Sequence, residues 1–143
     1  MKNSIPVLLV EDSKIDIKNV ERAFSKNKIT NPLFVTRNGE EALAYLRREP
    51  PYDNPIDAPR PGIILLDINM PVMNGIEFLQ TIKKSENFRD IPVVVLTTSQ
   101  EERDRMESFL LGVAGYIIKP VDFPKFVEAI RVINLYWCLS ELP

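Results

Sequence analysis

A chain of 143 residues, 45% hydrophobic and 27% charged, has the make-up of one soluble globular domain and is too short to bury two ordinary cores. A net charge of −2 without a basic stripe argues against direct nucleic-acid binding, and no apolar run reaches the length of a membrane span, so no membrane partner and a cytoplasmic location are expected. A single cysteine, Cys138, excludes an internal disulfide, and the absence of histidine excludes a His-dependent triad, a His-ligated metal and a phosphohistidine carried by this chain.

Apolar runs and helical patterns alternate from end to end, as parallel βα units require. Val7-Leu8-Leu9-Val10 reads as a first buried strand ending in Glu11-Asp12. Ile15, Ile17, Val20, Ala23 and Phe24 mark a helix over about residues 13–26, where Ser13 with Asp16 three positions on resembles a capping box. Residues 32–36 give a short second strand, and Asn38-Gly39 opens a second helix with Ala42, Leu43 and Leu46 on one face. Five prolines between positions 49 and 61 leave neither helix nor strand, so this segment is expected to be an inserted loop within one domain spanning 1–143.

Ile63 to Leu66 form a continuous apolar run, the pattern of a strand buried on both faces, and deliver Asp67 at its end. Phe78, Leu79 and Ile82 with Ile76 define a third helix. Residues 91–96 make a fourth strand, with Pro92 near its start, ending in Thr97-Thr98-Ser99. Ser99-Gln100-Glu101-Glu102 is a capping-box pattern, and Met106, Phe109 and Leu110 are expected on one face of a helix stopped by Gly112. Tyr116-Ile117-Ile118 is the fifth strand, delivering Lys119-Pro120. A last helix is expected from Asp122 past Trp137, with Phe126, Val127, Ile130 and Ile133 buried.

Five such strands give an α/β fold, a doubly wound three-layer αβα sandwich with a five-stranded parallel sheet of order 2-1-3-4-5. Taken singly, the strand ends have ordinary explanations: Glu11-Asp12 as a helix-dipole pair, Asp67 as a cap, Lys119-Pro120 as a chain exit and Tyr116 as core. In that strand order, however, Glu11, Asp12, Asp67, Thr97 and Lys119 line one edge, where open α/β sheets bind their ligands. Close carboxylate pairs repel by about 4 kcal/mol even at an effective dielectric near 20, so the acids call for a cation. Oxygen donors with room for water suit Mg2+, for which Mn2+ or Ca2+ could substitute. The added ammonium and hydroxyl suit phosphoryl oxygens, with Asp67 as the nucleophile.

The run from Val10-Glu11-Asp12 through Asp67-Ile68-Asn69-Met70-Pro71 and Thr97-Thr98-Ser99 to Gly115-Tyr116-Ile117-Ile118-Lys119-Pro120 resembles the receiver domain of two-component response regulators, over essentially the whole chain. The resemblance implies a flavodoxin-like (CheY-like) fold and phosphorylation of Asp67 by a sensor histidine kinase. It implies Mg2+ held by Glu11, Asp12, Asp67 and the backbone carbonyl of Asn69, and pairing of Lys119 with the acyl phosphate. Thr97 and Tyr116 would form the switch, and Pro120 would follow a cis peptide bond. Ser99 and Asn69 occupy positions that influence phosphoryl lifetime in that family. Met73-Asn74-Gly75 departs from the more usual Asp-Gly at that turn, without loss of turn chemistry.

The proline-rich loop and the tail from Ile133 to Pro143 are similar to those of stand-alone receivers that partner bacterial and cyanobacterial phytochromes. This implies a phytochrome kinase, no output domain, and a homodimer through the fourth helix, fifth strand and fifth helix. It also implies a signalling domain rather than an enzyme. The alternatives are a metal-dependent aspartyl-phosphate phosphatase or phosphotransferase acting on small molecules, and a receiver serving another kinase. The first would need a substrate pocket and usually a cap domain. A flavin or nucleotide carrier is disfavoured by acids where a phosphate loop would lie.

Overall fold

The computed structural model describes residues 5–70 and 73–119. Within them β1 (Val7–Val10), α1 (Lys14–Lys26), β2 (Leu33–Thr36), α2 (Gly39–Arg47), β3 (Ile63–Asp67), α3 (Gly75–Lys83), β4 (Val93–Thr97), α4 (Gln100–Glu107) and β5 (Gly115–Ile118) follow in strict alternation. All pairings are parallel and the sheet order is β2-β1-β3-β4-β5, as the sequence implies. The last helix, the tail and Pro120 lie outside the described residues.

The period-2 geometry of the strands sorts their side chains onto two faces. Leu8, Val10, Ile64, Leu66, Val93 and Val95 pack beneath α2 and α3 with Phe78, Leu79 and Ile82. Val7, Leu9, Ile63, Leu65, Val94 and Leu96 pack against Ile17, Val20, Ala23 and Phe24 of α1. Every residue of β1, β3 and β4 is buried, which is why these three read as unbroken apolar runs. Continued one step past the apolar core, the same parity sends Asp67 to the α1 face and Thr97 to the α4 face. A register slip of one residue would exchange them.

Ser13, Asn38, Asn74 and Ser99 each accept a backbone N–H of the first turn, but the full capping boxes expected at Ser13 and Ser99 do not form, because the Asp16 and Glu102 carboxylates bond elsewhere. The proline-rich stretch between α2 and β3 is irregular, with a cis Pro50–Pro51 bond, and it is held by side chains as well as prolines. The Tyr45 hydroxyl donates to the Pro59 carbonyl (2.8 Å), Tyr52 donates to Glu41 (3.3 Å), and the two rings pack 5.5 Å apart.

Two expectations need correction. β4 starts at Val93 rather than at Ile91. α4 stops at Glu107, and Phe109 and Leu110 do not share a buried face with Met106; both are exposed. The reason is compositional: Met106 is the sole apolar residue of those eight, so α4 has no stripe with which to bury a longer helix. After Ser108 the chain turns, and Leu110 and Gly112 adopt positive φ angles of 52° and 68°.

Candidate functional site

Glu11, Asp67 and Lys119 leave their strands on the same face and meet beside the first turn of α1. Lys119 Nζ lies 2.8 Å from Glu11 Oε1, 3.2 Å from Asp67 Oδ1 and 2.9 Å from Asp16 Oδ2. The contact with Asp16 is a directed hydrogen bond, whereas the Glu11 and Asp67 contacts are ion pairs by distance, leaving Glu11 Oε1 without a directed bond. Glu11 and Asp67 are 0% and 1% exposed, while Asp12 is open to solvent on the same rim. The backbone N–H of Lys119 donates to the Thr97 carbonyl, which carries the β4–β5 ladder up to the site.

Three carboxylates therefore contact one ammonium, with Asp12 beside two of them. Burial pushes the Glu11 carboxyl up to about 8, with Asp67 adding to the rise and Lys119 opposing it. Burial also works against the Lys119 charge, yet Glu11, Asp16 and the field of Asp67 leave its pKa above the ordinary lysine value. The surplus is negative. Single oxygens of Glu11, Asp12 and Asp67 lie within 4.8 Å of one another, a spacing that fits a small hard cation with oxygen ligands. The donor set is thus compatible with the divalent ion that the sequence implies.

The acceptor loop is shaped by close backbone approach. A Cβ on Gly75 would stand 2.5 Å from Ile68 Cα and 2.7 Å from the Asp67 carbonyl oxygen, so only glycine lets α3 begin directly over the strand end. The Gly75 N–H donates to the Ile68 carbonyl (3.2 Å), and a full capping box between Asn74 and Glu77 fixes the helix start. The Asn69 N–H reaches back to Asp67 Oδ1 at 3.3 Å.

Thr97 is fully buried, and its Oγ1 finds no hydrogen-bond partner among the described residues. A buried hydroxyl in that condition costs about 1–3 kcal/mol, and the buried Thr36 hydroxyl shares it. Tyr116 is half-buried on the face of α4, with the Arg103 guanidinium 5.0 Å from its ring centre. Pro120 lies outside the described residues.

Two residues near the site were not singled out from the sequence. Asp16 was read as the far half of a capping box. Ser13 does accept its N–H (3.2 Å), but the carboxylate turns to Lys119 and Ser13 N–H donates instead to Glu11 Oε2 (3.3 Å). Glu102, likewise read as a capping residue, accepts hydrogen bonds from Asn69 and Thr98.

Residues 7–131 match the family model described as response regulator receiver domain. Response regulator Rcp1 of Synechocystis sp. is 38% identical over 131 residues, covering 92% of this chain and 87% of that protein. Among solved structures, bacteriophytochrome response regulator RtBRR is 44% identical with a TM-score of 0.80, covering 92% of this chain and 77% of its own. The phosphorylated cyanobacterial phytochrome response regulator RcpA is 38% identical with a TM-score of 0.83, covering 97% and 96%. The Mn2+-bound form of Rcp1 superposes with a TM-score of 0.80 at 37% identity, covering 93% of this chain and 94% of that one.

Proposed function

The chain belongs to the response regulator receiver family, and from that premise we propose that it is switched by phosphorylation of Asp67 by a sensor histidine kinase. One observation carries this reading: strand ends far apart in sequence bring Glu11, Asp67 and Lys119 into mutual contact, with Asp12 and a buried, unpartnered Thr97 hydroxyl at the same edge.

In the reaction an Asp67 carboxylate oxygen attacks the phosphorus of a phosphohistidine. The P–O bond forms as the P–N bond breaks, and the imidazole nitrogen keeps the electron pair and takes a proton from solvent. Lys119, already at Asp67 Oδ1, pairs with one phosphoryl oxygen, and Thr97 Oγ1 donates to another. Mg2+ held by Glu11, Asp12, Asp67 and the Asn69 carbonyl would offset the developing phosphoryl charge. When Thr97 moves toward the acyl phosphate, Tyr116 turns into the space it leaves and the outer surface of α4 and β5 changes, so the output is altered binding.

The kinase is proposed to be a phytochrome, on the strength of the similarity to RtBRR and RcpA. Self-association is assigned to the α4–β5 face together with the last helix, which lies outside the described residues. Leu110, Phe109 and Ile118 are exposed on or beside that face. Light scattering that returned only monomer in both phosphorylation states would refute that assignment.

The acceptor is tested with acetyl phosphate and Mg2+, followed by intact-mass measurement. Wild type gains one phosphoryl group and Asp67→Asn gains none; undiminished labelling of Asp67→Asn would remove Asp67 from its role.

A further inference from the structure

The Glu102 carboxylate joins two loops on either side of the acceptor edge. Glu102 is the third residue of α4, and its own N–H donates to Ser99 Oγ (3.1 Å), the ordinary N-cap bond. A capping box would return the side chain to the Ser99 N–H. Instead Oε1 accepts from the Thr98 N–H at 2.8 Å, while Oε2 accepts from the Thr98 hydroxyl at 3.2 Å and, in a short contact, from the Asn69 amide. Both oxygens are engaged, and all three donors lie outside α4.

The placement of those donors is what matters. Asn69 is two residues past Asp67 and its N–H touches Asp67 Oδ1; Thr98 follows Thr97 directly. One carboxylate therefore ties the loop leaving β3 to the loop leaving β4, at the rim where a phosphoryl group would stand. The Glu101 side chain, in the same helical turn, makes no hydrogen bond among the described residues, so first-turn acidity alone does not account for the arrangement of Glu102.

A phosphoryl group on Asp67 adds about 1.5 to 2 negative charges and three acceptor oxygens. It then repels Glu102 and draws on the same neutral donors. We propose that Glu102 is a positioning residue that stands in for the phosphoryl group in the unphosphorylated protein. It holds the Asn69 amide and the Thr98 N–H, and phosphorylation displaces it, freeing the first turn of α4. The inference rests on the reading of Asp67 as acceptor. By linkage, whatever the latch contributes to the unphosphorylated state is subtracted from the affinity for a phosphoryl mimic.

The test is beryllofluoride binding to the full chain in Mg2+, by calorimetry and by amide NMR, for wild type, Asp67→Asn, Glu102→Ala, Glu102→Gln and Glu101→Ala. Both Glu102 variants are expected to bind about fivefold to tenfold tighter than wild type, within the usual range of coupling energies, and Glu101→Ala to match wild type. In free Glu102→Ala the Asn69 side-chain NH2 and Thr98 amide resonances should already have left their wild-type positions, and in wild type beryllofluoride should move the same resonances. Should Glu102→Ala fail to fold, the near-isosteric Glu102→Gln decides alone. Binding by the Glu102 variants equal to or weaker than wild type overturns the latch while leaving the acceptor reading standing. Wild-type binding that is absent, or that survives Asp67→Asn, overturns both.

Discussion

Replacing Lys119 with Met removes the one ammonium from among Glu11, Asp16 and Asp67 while keeping a stem of similar length. Lys119 is 14% exposed at its side chain, and Glu11 and Asp67 almost wholly buried. At an effective dielectric near 20, each contact of about 3 Å carries roughly 5 kcal/mol of attraction. Mutual repulsion of the carboxylates and the desolvation of Lys119 offset most of that sum. Removing one partner of a buried pair typically costs about 3–5 kcal/mol, and protonation of Glu11 relieves part of the strain, so about 3 kcal/mol is expected here. For a chain of this size that lowers Tm by about 10 °C. The assay is urea or thermal unfolding in EDTA and again in excess Mg2+. Because the ammonium and the ion balance the same carboxylates, the variant should regain more stability from Mg2+ than wild type does. A Lys119→Met protein as stable as wild type in EDTA, with an unchanged response to Mg2+, would refute the account of the site as a surplus of negative charge balanced by Lys119.

Tyr45→Phe tests the anchoring of the proline-rich loop. Losing the bond to the Pro59 carbonyl should cost about 1 kcal/mol at neutral pH. Burial pushes the Tyr45 hydroxyl up to about 12, so the native state holds the phenolic proton more tightly than the unfolded chain. That contribution is whole below pH ~10 and is lost as pH rises toward ~12; by pH ~11 wild type should have lost about 1 kcal/mol that Tyr45→Phe does not lose. Urea midpoints of the two proteins moving in parallel from pH ~9 to ~11 would contradict it. Gly75→Ala places a methyl against the Ile68 and Asp67 backbone. It should destabilise by about 1–3 kcal/mol and slow labelling of Asp67 by acetyl phosphate, and labelling at the wild-type rate would show that the loop can yield.

Strand-end chemistry was legible because it is local: an unbroken apolar run ends, and the next polar residue emerges at a known edge. Glu11, Asp67, Thr97 and Lys119 were readable for that reason. The loop between α2 and β3 was readable as a loop from its prolines. Its anchors were not, because Tyr45 and Tyr52 look like ordinary helix and loop aromatics until the chain folds back between them. The end of α4 was misread because Phe109 and Leu110 have helical spacing from Met106 but no core beneath them.

Four acids stand three residues after a helix cap, and they show where local rules stop. Glu77 obeys the rule: its carboxylate accepts from the Asn74 N–H at 3.2 Å, and among the described residues no cation or amide from another loop competes for it. Asp16, Glu41 and Glu102 occupy the same pattern but are diverted: Asp16 to an ammonium 103 positions along the chain, Glu102 to an amide 33 positions back, and Glu41 to the Tyr52 hydroxyl and the Asn38 side-chain amide. A carboxylate in the first turn chooses the strongest donor within reach. A charged or doubly engaged partner outweighs a single backbone N–H that water can also satisfy. Which donor is within reach depends on the sheet order, which no window of local sequence contains. Departure from a well-formed capping pattern therefore marks a tertiary contact: of the three diverted acids Asp16 and Glu102 lie at the acceptor edge, while Glu41 holds the proline-rich loop.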